Sequence, residues 1–213
     1  MPRNGREVRK RLQWSALELF RDRGYEQTTA AEIAARAGVT ERTFFRHFAD
    51  KRDVLFDGEV AFSEALMAAI SNAPAALGPW QTLLVAFDSV KHLFVENRPF
   101  TEPRQQVIAA APALQERAMA KSRALVAAVA SALCKRSIAE PDANLLAWMG
   151  MAASSYGVAA WFRDSSTDLG EHMRRAFQQA SRLAQLDAAQ ARTKAKSSGT
   201  GTKGRKPGTG PAS

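Results

Sequence analysis

The sequence predicts an all-α protein, an N-terminal three-helix unit followed by a larger helical bundle, about nine helices in all. Three observations predict it. Alanine, leucine, arginine, glutamine and glutamate dominate the chain before residue 190, and no stretch alternates β-branched and polar residues with period two. Apolar residues recur at the three- and four-residue spacing of a helix face. Glycine, proline and short polar residues then cut the chain into pieces of helical length.

Taken in order, Leu12, Ala16, Leu19 and Phe20 fall at i, i+4, i+7 and i+8, one apolar stripe on a first helix over residues 6–23. Gly24 closes it, because glycine accepts the left-handed conformation at a helix end. Thr29, Ala30, Ala31 and Glu32 form a capping box, in which hydroxyl and carboxylate each satisfy the other residue's backbone N–H. The short helix it starts ends near Ala37, before Gly38. Thr40 is a second N-cap and opens a helix over residues 41–47. Asp50, with Asp53 three residues on, caps a fourth helix that has Lys51 in its first turn and ends at Pro74. Pro79 begins the fifth at its first position. Breaks are expected at Asn97 to Pro99, at Pro103 and at Pro112. Long helices follow over residues 113–137, from Pro141 to about Arg163, and over 169–190 behind Asp168. From Lys196 onward Gly, Ser, Thr, Lys, Arg and Pro leave nothing to bury, and a disordered tail is expected.

The chain has 213 residues, 46% hydrophobic and 24% charged, which excludes a collagen, a mostly disordered chain and a disulfide-stapled mini-protein. A single cysteine, Cys134, cannot form an intrachain bridge, as suits a reducing cytoplasm. No apolar run follows the basic N-terminus, so no secretory signal is expected. Lys and Arg number 30 against 21 Asp and Glu, a formal charge of +9 that is unevenly placed. Residues 1–52 hold 12 basic and 7 acidic residues, residues 53–187 hold 12 and 14, and residues 188–213 hold 6 and none. A near-neutral middle between two basic ends points to a polyanionic partner, nucleic acid.

Helix, glycine turn, short helix is the helix-turn-helix pattern, whose second helix enters the major groove of DNA. Ile33, Ala34, Ala37, Val39, Phe44 and Phe48 are apolar where the two helices must pack on each other and on the first. Thr40, Glu41, Arg42, Thr43 and Arg46 are left polar, the first few at the end that reaches base edges. Arg42 has the fork that pairs with guanine O6 and N7, worth about 1–3 kcal/mol of discrimination. His47 and Lys51 are placed for phosphate. A plain helical hairpin with solvated charges would not need caps, glycines and apolar spacing to agree.

The residues Ala16 to Phe20, Gly24, Tyr25, Thr28, Thr29, Glu32 to Ala34, Ala37 to Thr40, Thr43 to Phe48 and Lys51 together resemble the N-terminal domain of the TetR family of transcriptional regulators. The resemblance implies an all-helical homodimer whose C-terminal domain binds an inducer. It carries phosphate contacts over to Thr29, His47 and Lys51, and contacts of the DNA-reading helix to Thr40, Arg42 and Thr43. The family usually has tyrosine where this chain has Phe45, which lacks a hydroxyl for phosphate and is left to touch sugar or a thymine methyl. Arg104 to Ile108, Pro112 to Leu114 and the long helix ending in Leu133 resemble the C-terminal domain of regulators related to the one found with mycofactocin clusters. That relative implies an acyl-thioester or other fatty effector.

The expected organisation is a DNA-binding unit over residues 1–52, an effector-binding and dimerisation bundle over 53–190, and a basic tail over 191–213. Trp80, Phe87, Phe94, Met119 and Trp148 are the candidate lining of an apolar effector pocket, though each alone also suits plain core. Residues 144–162 carry no charge, long enough to raise a membrane span. Gly150 and Ser154, and Ala153 and Gly157, instead suggest close helix approach at a dimer interface, with Met173, Phe177, Ala180 and Leu183 or Ala184 inward. Gly199 to Gly204 spell G-x-G-x-x-G with neither strand nor helix to support a dinucleotide site. Neither metal-ligand spacing nor a nucleophile motif occurs, so no enzyme, cofactor or metal is expected. The expectation is a cytoplasmic, ligand-responsive repressor that binds a palindromic duplex operator as a homodimer. A small-molecule sensor or a non-specific DNA-coating protein is the alternative.

Overall fold

The structure, a computed structural model, describes residues 3–198, with side chains from residue 5 to residue 185. Helix α1 (Arg3–Arg23) lays Leu12, Ala16, Leu17, Leu19 and Phe20 against α2 (Ala30–Arg36) and α3 (Glu41–His47). Those two helices answer with Ile33, Ala34 and Phe44, and Ala37 and Phe48 complete the contact. Phe44, Leu12 and Ile33 are wholly excluded from water, each worth about 1.5–3 kcal/mol. The turns fall where glycine permits them, at Gly24 (φ +84°) and Gly38 (φ +68°).

The expected single fourth helix is in fact two pieces. Asp50 accepts from the Arg52 backbone N–H and starts a 3-10 turn, Lys51–Phe56. The chain then reverses at Gly58 (φ +91°), and α4 (Glu59–Asn72) begins afresh. Val54, Leu55 and Phe56 of the 3-10 turn are buried in the same core as the first three helices. That core is closed from the far side by Val107 of α7 (Arg98–Ala110), by Ala111 and by Leu114 of α8 (Pro112–Lys135). Pro103, expected to break the chain, lies inside α7. It is the sixth of the helix's 13 residues, where one backbone bond is lost, and the burial of Val107 one turn later holds the helix together.

The second core joins α4, α5 (Pro79–Val90), α8, α9 (Glu140–Arg163) and α10 (Leu169–Ser198), with a short α6 (His92–Glu96) after α5. Counting α5 and α6 as one helix interrupted at Lys91, the described residues form nine α-helices and a 3-10 turn. Helix α9 is the uncharged stretch. One side of it buries Ala143, Ala147, Gly150, Ala153, Ser154, Gly157, Val158 and Trp161 among α5, α8 and α10, while Leu145, Trp148 and Tyr156 on the other side are exposed. A Cβ on Gly150 would lie 2.8 Å from Leu83 Cδ1, and one on Gly157 would lie 3.1 Å from Met173 Cα. The small residues expected to meet a partner helix therefore pack inside the chain. Met173 and Phe177 are likewise internal, while Leu183 and Ala184 face outward. Helix α10 continues to Ser198 because its run past 190 is rich in alanine, arginine and lysine, good helix formers. The tail from Gly199, with its glycine motif, lies outside the described residues.

Candidate nucleic-acid interface

Two caps set the geometry of the motif. The Thr29 hydroxyl accepts from the Glu32 backbone N–H at 3.2 Å, and the Glu32 carboxylate accepts from the Thr29 backbone N–H at 2.8 Å. The Thr29 backbone N–H first, and then the Thr29 hydroxyl, both donating to the carboxylate, hold the Glu32 carboxyl below its ordinary value. Thr40 caps α3 by accepting from the Thr43 backbone N–H at 3.2 Å, and the two hydroxyls lie 3.0 Å apart. Because Phe44 and Phe48 anchor the inner side of α3, its outer side presents Thr40, Glu41, Arg42, Phe45 and Arg46 to solvent, with Thr43 half-buried at the edge. Phe45 is 51% exposed, its ring held edge-on against Phe44 at 5.4 Å between centroids. None of the ion pairs among the described residues uses Glu41, Arg42 or Arg46.

The residues expected at phosphate divide. Thr29 is exposed, but its hydroxyl donates to Glu32 at 2.9 Å. Lys51 Nζ donates to the Tyr25 and Thr28 carbonyls, each at 3.0 Å, and stands 4.2 Å from the centre of the Tyr25 ring. It ties the loop before α2 to the 3-10 turn, so it acts first as a clamp. His47 corrects the expectation more strongly. Both its ring nitrogens are buried without a hydrogen-bond partner, and so neither reaches a phosphate in this conformation. Burial first, and then the Arg46 and Arg9 guanidinium groups, push its imidazole below the ordinary value.

Arg9, which no local spacing singles out, fixes the same corner. Its guanidinium donates to the His47 carbonyl at 3.0 Å, pairs with Asp57 and stacks 4.5 Å over the Phe48 ring. It thereby holds the end of α3 to α1 and to the chain after the 3-10 turn. Asp57 is 48 residues away, beyond any local spacing signal.

The candidate effector residues do not gather into one pocket. Phe87 is fully buried, and it and Trp80 both pack on Phe177, with centroids 6.1 and 4.7 Å away. Phe94 packs on Phe62, at 5.2 Å. Met119 and Trp148 are 56% and 52% exposed and line no interior space. Helix periodicity places a residue on a face but cannot say which face its neighbours cover. Within the bundle, the Thr82 hydroxyl is buried without a partner among the described residues.

A charged seam joins the two cores. Arg117 pairs with Asp53 at 2.6 Å, and Glu59 accepts from both Arg104 and Lys121 at 3.0 Å. The Arg104 guanidinium also lies 4.9 Å over the Phe56 ring, and its burial pulls its pKa down while Glu59 opposes that shift. The 3-10 turn and the start of α4 are thus pinned to α7 and α8 by groups 45 to 64 residues apart.

Residues 15–57 match the family model described as bacterial regulatory proteins, tetR family, and residues 77–185 match the model of the MftR C-terminal domain. The HTH-type transcriptional regulator TcmR of Streptomyces glaucescens is 45% identical over 85 residues, 40% of this chain and 38% of that protein. The putative mycofactocin biosynthesis transcriptional regulator MftR of Mycobacterium tuberculosis is 28% identical over 171 residues, covering 76% of this chain and 83% of that one. Among solved structures, FadR of Thermus thermophilus, a TetR-family transcriptional repressor in complex with lauroyl-CoA, superposes with a TM-score of 0.51. It is 25% identical and covers 81% of this chain and 92% of its own.

Proposed function

The chain belongs to the TetR family of bacterial transcriptional regulators, and from that premise we propose that it is a repressor binding a palindromic operator as a homodimer and released by a small apolar effector. The observation that carries the reading is the outer side of α3. Its base-reaching residues Thr40, Arg42 and Phe45 are exposed, while Phe44 and Phe48 fix the helix from behind. In this reading residues 1–52 read DNA and residues 53–190 bind effector and partner.

The homodimer is supported by α9. Leu145, Trp148, Ala152 and Tyr156 recur at i, i+3, i+7 and i+11 on its outer side, and Leu183 lies exposed on α10 beside it. A soluble chain seldom leaves such a stripe uncovered, and a second copy supplies the same stripe in return. Two reading helices then meet adjacent major grooves roughly 34–36 Å apart. The effector acts by preferring a protomer arrangement whose helices miss that spacing. An acyl thioester is the effector class favoured, since the FadR structure named above holds lauroyl-CoA; its chain would have to part α5 from α10 beside Trp80 and Phe87. The protein works at the chromosome in the cytoplasm.

Selection of bound fragments from randomised duplex tests this directly. The expected product is a palindrome, which reports specificity, twofold symmetry and spacing together. Arg42→Ala is expected to relax preference at one position per half-site by about 1–3 kcal/mol while keeping non-specific affinity. Equal loss on every sequence would remove Arg42 from base reading, and no enrichment at all would remove operator recognition.

A further inference from the structure

The outer side of α3 carries two chemically different rows. Arg42 and Arg46, four residues apart, are exposed cations. Glu41 and Phe45, also four apart, are an exposed carboxylate and an exposed phenyl ring. Neither member of the second row can be held by a phosphate: the carboxylate is repelled by it, and the phenyl has no donor for it. Once α3 lies in a major groove, this row is tolerated only over the floor of the groove, where base edges replace phosphates.

The floor offers few groups that suit either side chain. A carboxylate accepts from an exocyclic amino group, found on cytosine N4 and adenine N6. On adenine the neighbouring N7 lone pair opposes the carboxylate, so cytosine is the better partner. A phenyl ring gains most from the thymine C5 methyl, the one apolar group on the floor. Residues at i and i+4 stand about 5–6 Å apart at Cβ, and base steps rise about 3.4 Å, so the two bases lie one or two steps apart.

Building on the operator-binding reading above, we propose that Glu41 and Phe45 are specificity-determining residues that read, respectively, a cytosine amino group and a thymine methyl group in each half-site. The ring needs no other role. Phe45 is already fixed edge-on to Phe44, so its placement over a methyl costs little side-chain freedom. Glu41 sits in the first turn of α3, free of any ion pair among the described residues, and its carboxylate is available to an incoming donor.

The test uses the full chain and its selected operator. Replacing thymine by deoxyuridine, one position at a time, removes single methyl groups without touching the protein. Wild type is expected to lose about fourfold in affinity at one position per half-site, the worth of one buried methyl. Phe45→Ala should show no loss at that position. Repeating the selection with Glu41→Gln should shift one position from cytosine to adenine, with about tenfold discrimination, because glutamine pairs with adenine N6 and N7. A wild-type operator insensitive to every deoxyuridine, together with an unchanged Glu41→Gln consensus, overturns the inference and leaves operator binding intact. Failure of the wild type to enrich any operator overturns both together.

Discussion

Lys51 and His47, both expected at phosphate, are first of all held within the fold by their own neighbours. Lys51 closes the loop that delivers Thr29, using two backbone carbonyls and the face of Tyr25. Lys51→Ala is expected to cost about 1–2 kcal/mol of stability, seen in thermal unfolding, because two charge-assisted bonds are lost. It should also weaken binding to all duplexes alike and lower the salt slope by about one. A variant with unchanged unfolding would deny the clamp. His47 is held neutral by its burial, so the folded chain takes up fewer protons at this ring than the unfolded chain does. Its contribution to stability is therefore complete above the unfolded value of about 6.5, and is lost as pH falls through the depressed folded value. The melting temperature of wild type should fall more steeply on acidification from about pH 7 to about pH 5 than that of His47→Leu. Parallel curves would show that His47 carries no such linkage.

At the scale of elements, the crossing of α9 on its neighbours depends on two glycines with different tolerances. At Gly157 an added methyl would meet the backbone of α10, Met173 Cα at 3.1 Å and Met173 N at 3.2 Å, which moves only if the whole helix moves. Gly157→Ala should destabilise by about 1–3 kcal/mol. At Gly150 the nearest atom, Leu83 Cδ1 at 2.8 Å, is the end of a side chain that can turn aside. There the gain in helix propensity, about 0.5–1 kcal/mol, offsets the crowding and leaves Gly150→Ala nearly neutral. Denaturant midpoints of the two variants measure the contrast, and equal losses would mean that α10 yields as readily as Leu83. These glycines also mark what a sequence conveys about an element. Their spacing announced close approach, but the partner was α5 and α10 of the same chain. The break at Gly58 was missed for a related reason: Asp50 and Asp53 signal a start, while the reversal that ends the 3-10 turn depends on burying Val54, Leu55 and Phe56 under α1.

For the whole molecule, the seam of Arg104, Lys121 and Arg117 against Glu59 and Asp53 joins the DNA-reading unit to the bundle that would hold an effector. A ligand can alter operator binding only through contacts that both halves share, and this seam lies beside the apolar ones of Val107, Ala111 and Leu114. Glu59→Gln removes the negative charge that two cations share and leaves them a single amide oxygen. The loss should be about 2–3 kcal/mol, because Arg104 is largely out of water. Combining it with Arg104→Met should cost less than the two single losses added, with a coupling energy of about 1–3 kcal/mol. Strict additivity in that cycle would show the pair to be incidental.

Local features are legible in the order of the residues alone. The capping box, the glycine turns and the apolar stripes of α1 to α3 involve residues within a turn or two of each other, and the same local pattern placed Thr40, Glu41 and Arg42 on an open edge. Tertiary structure decided everything that depends on what covers a surface. It turned Trp80 and Phe87 into core, left Met119 and Trp148 outside, buried the nitrogens of His47 beneath the region held by Arg9, and matched Arg104 to Glu59. The reason is physical: backbone hydrogen bonding and helix periodicity act over a few residues, whereas burial and ion pairing are set by elements that only the folded chain brings together.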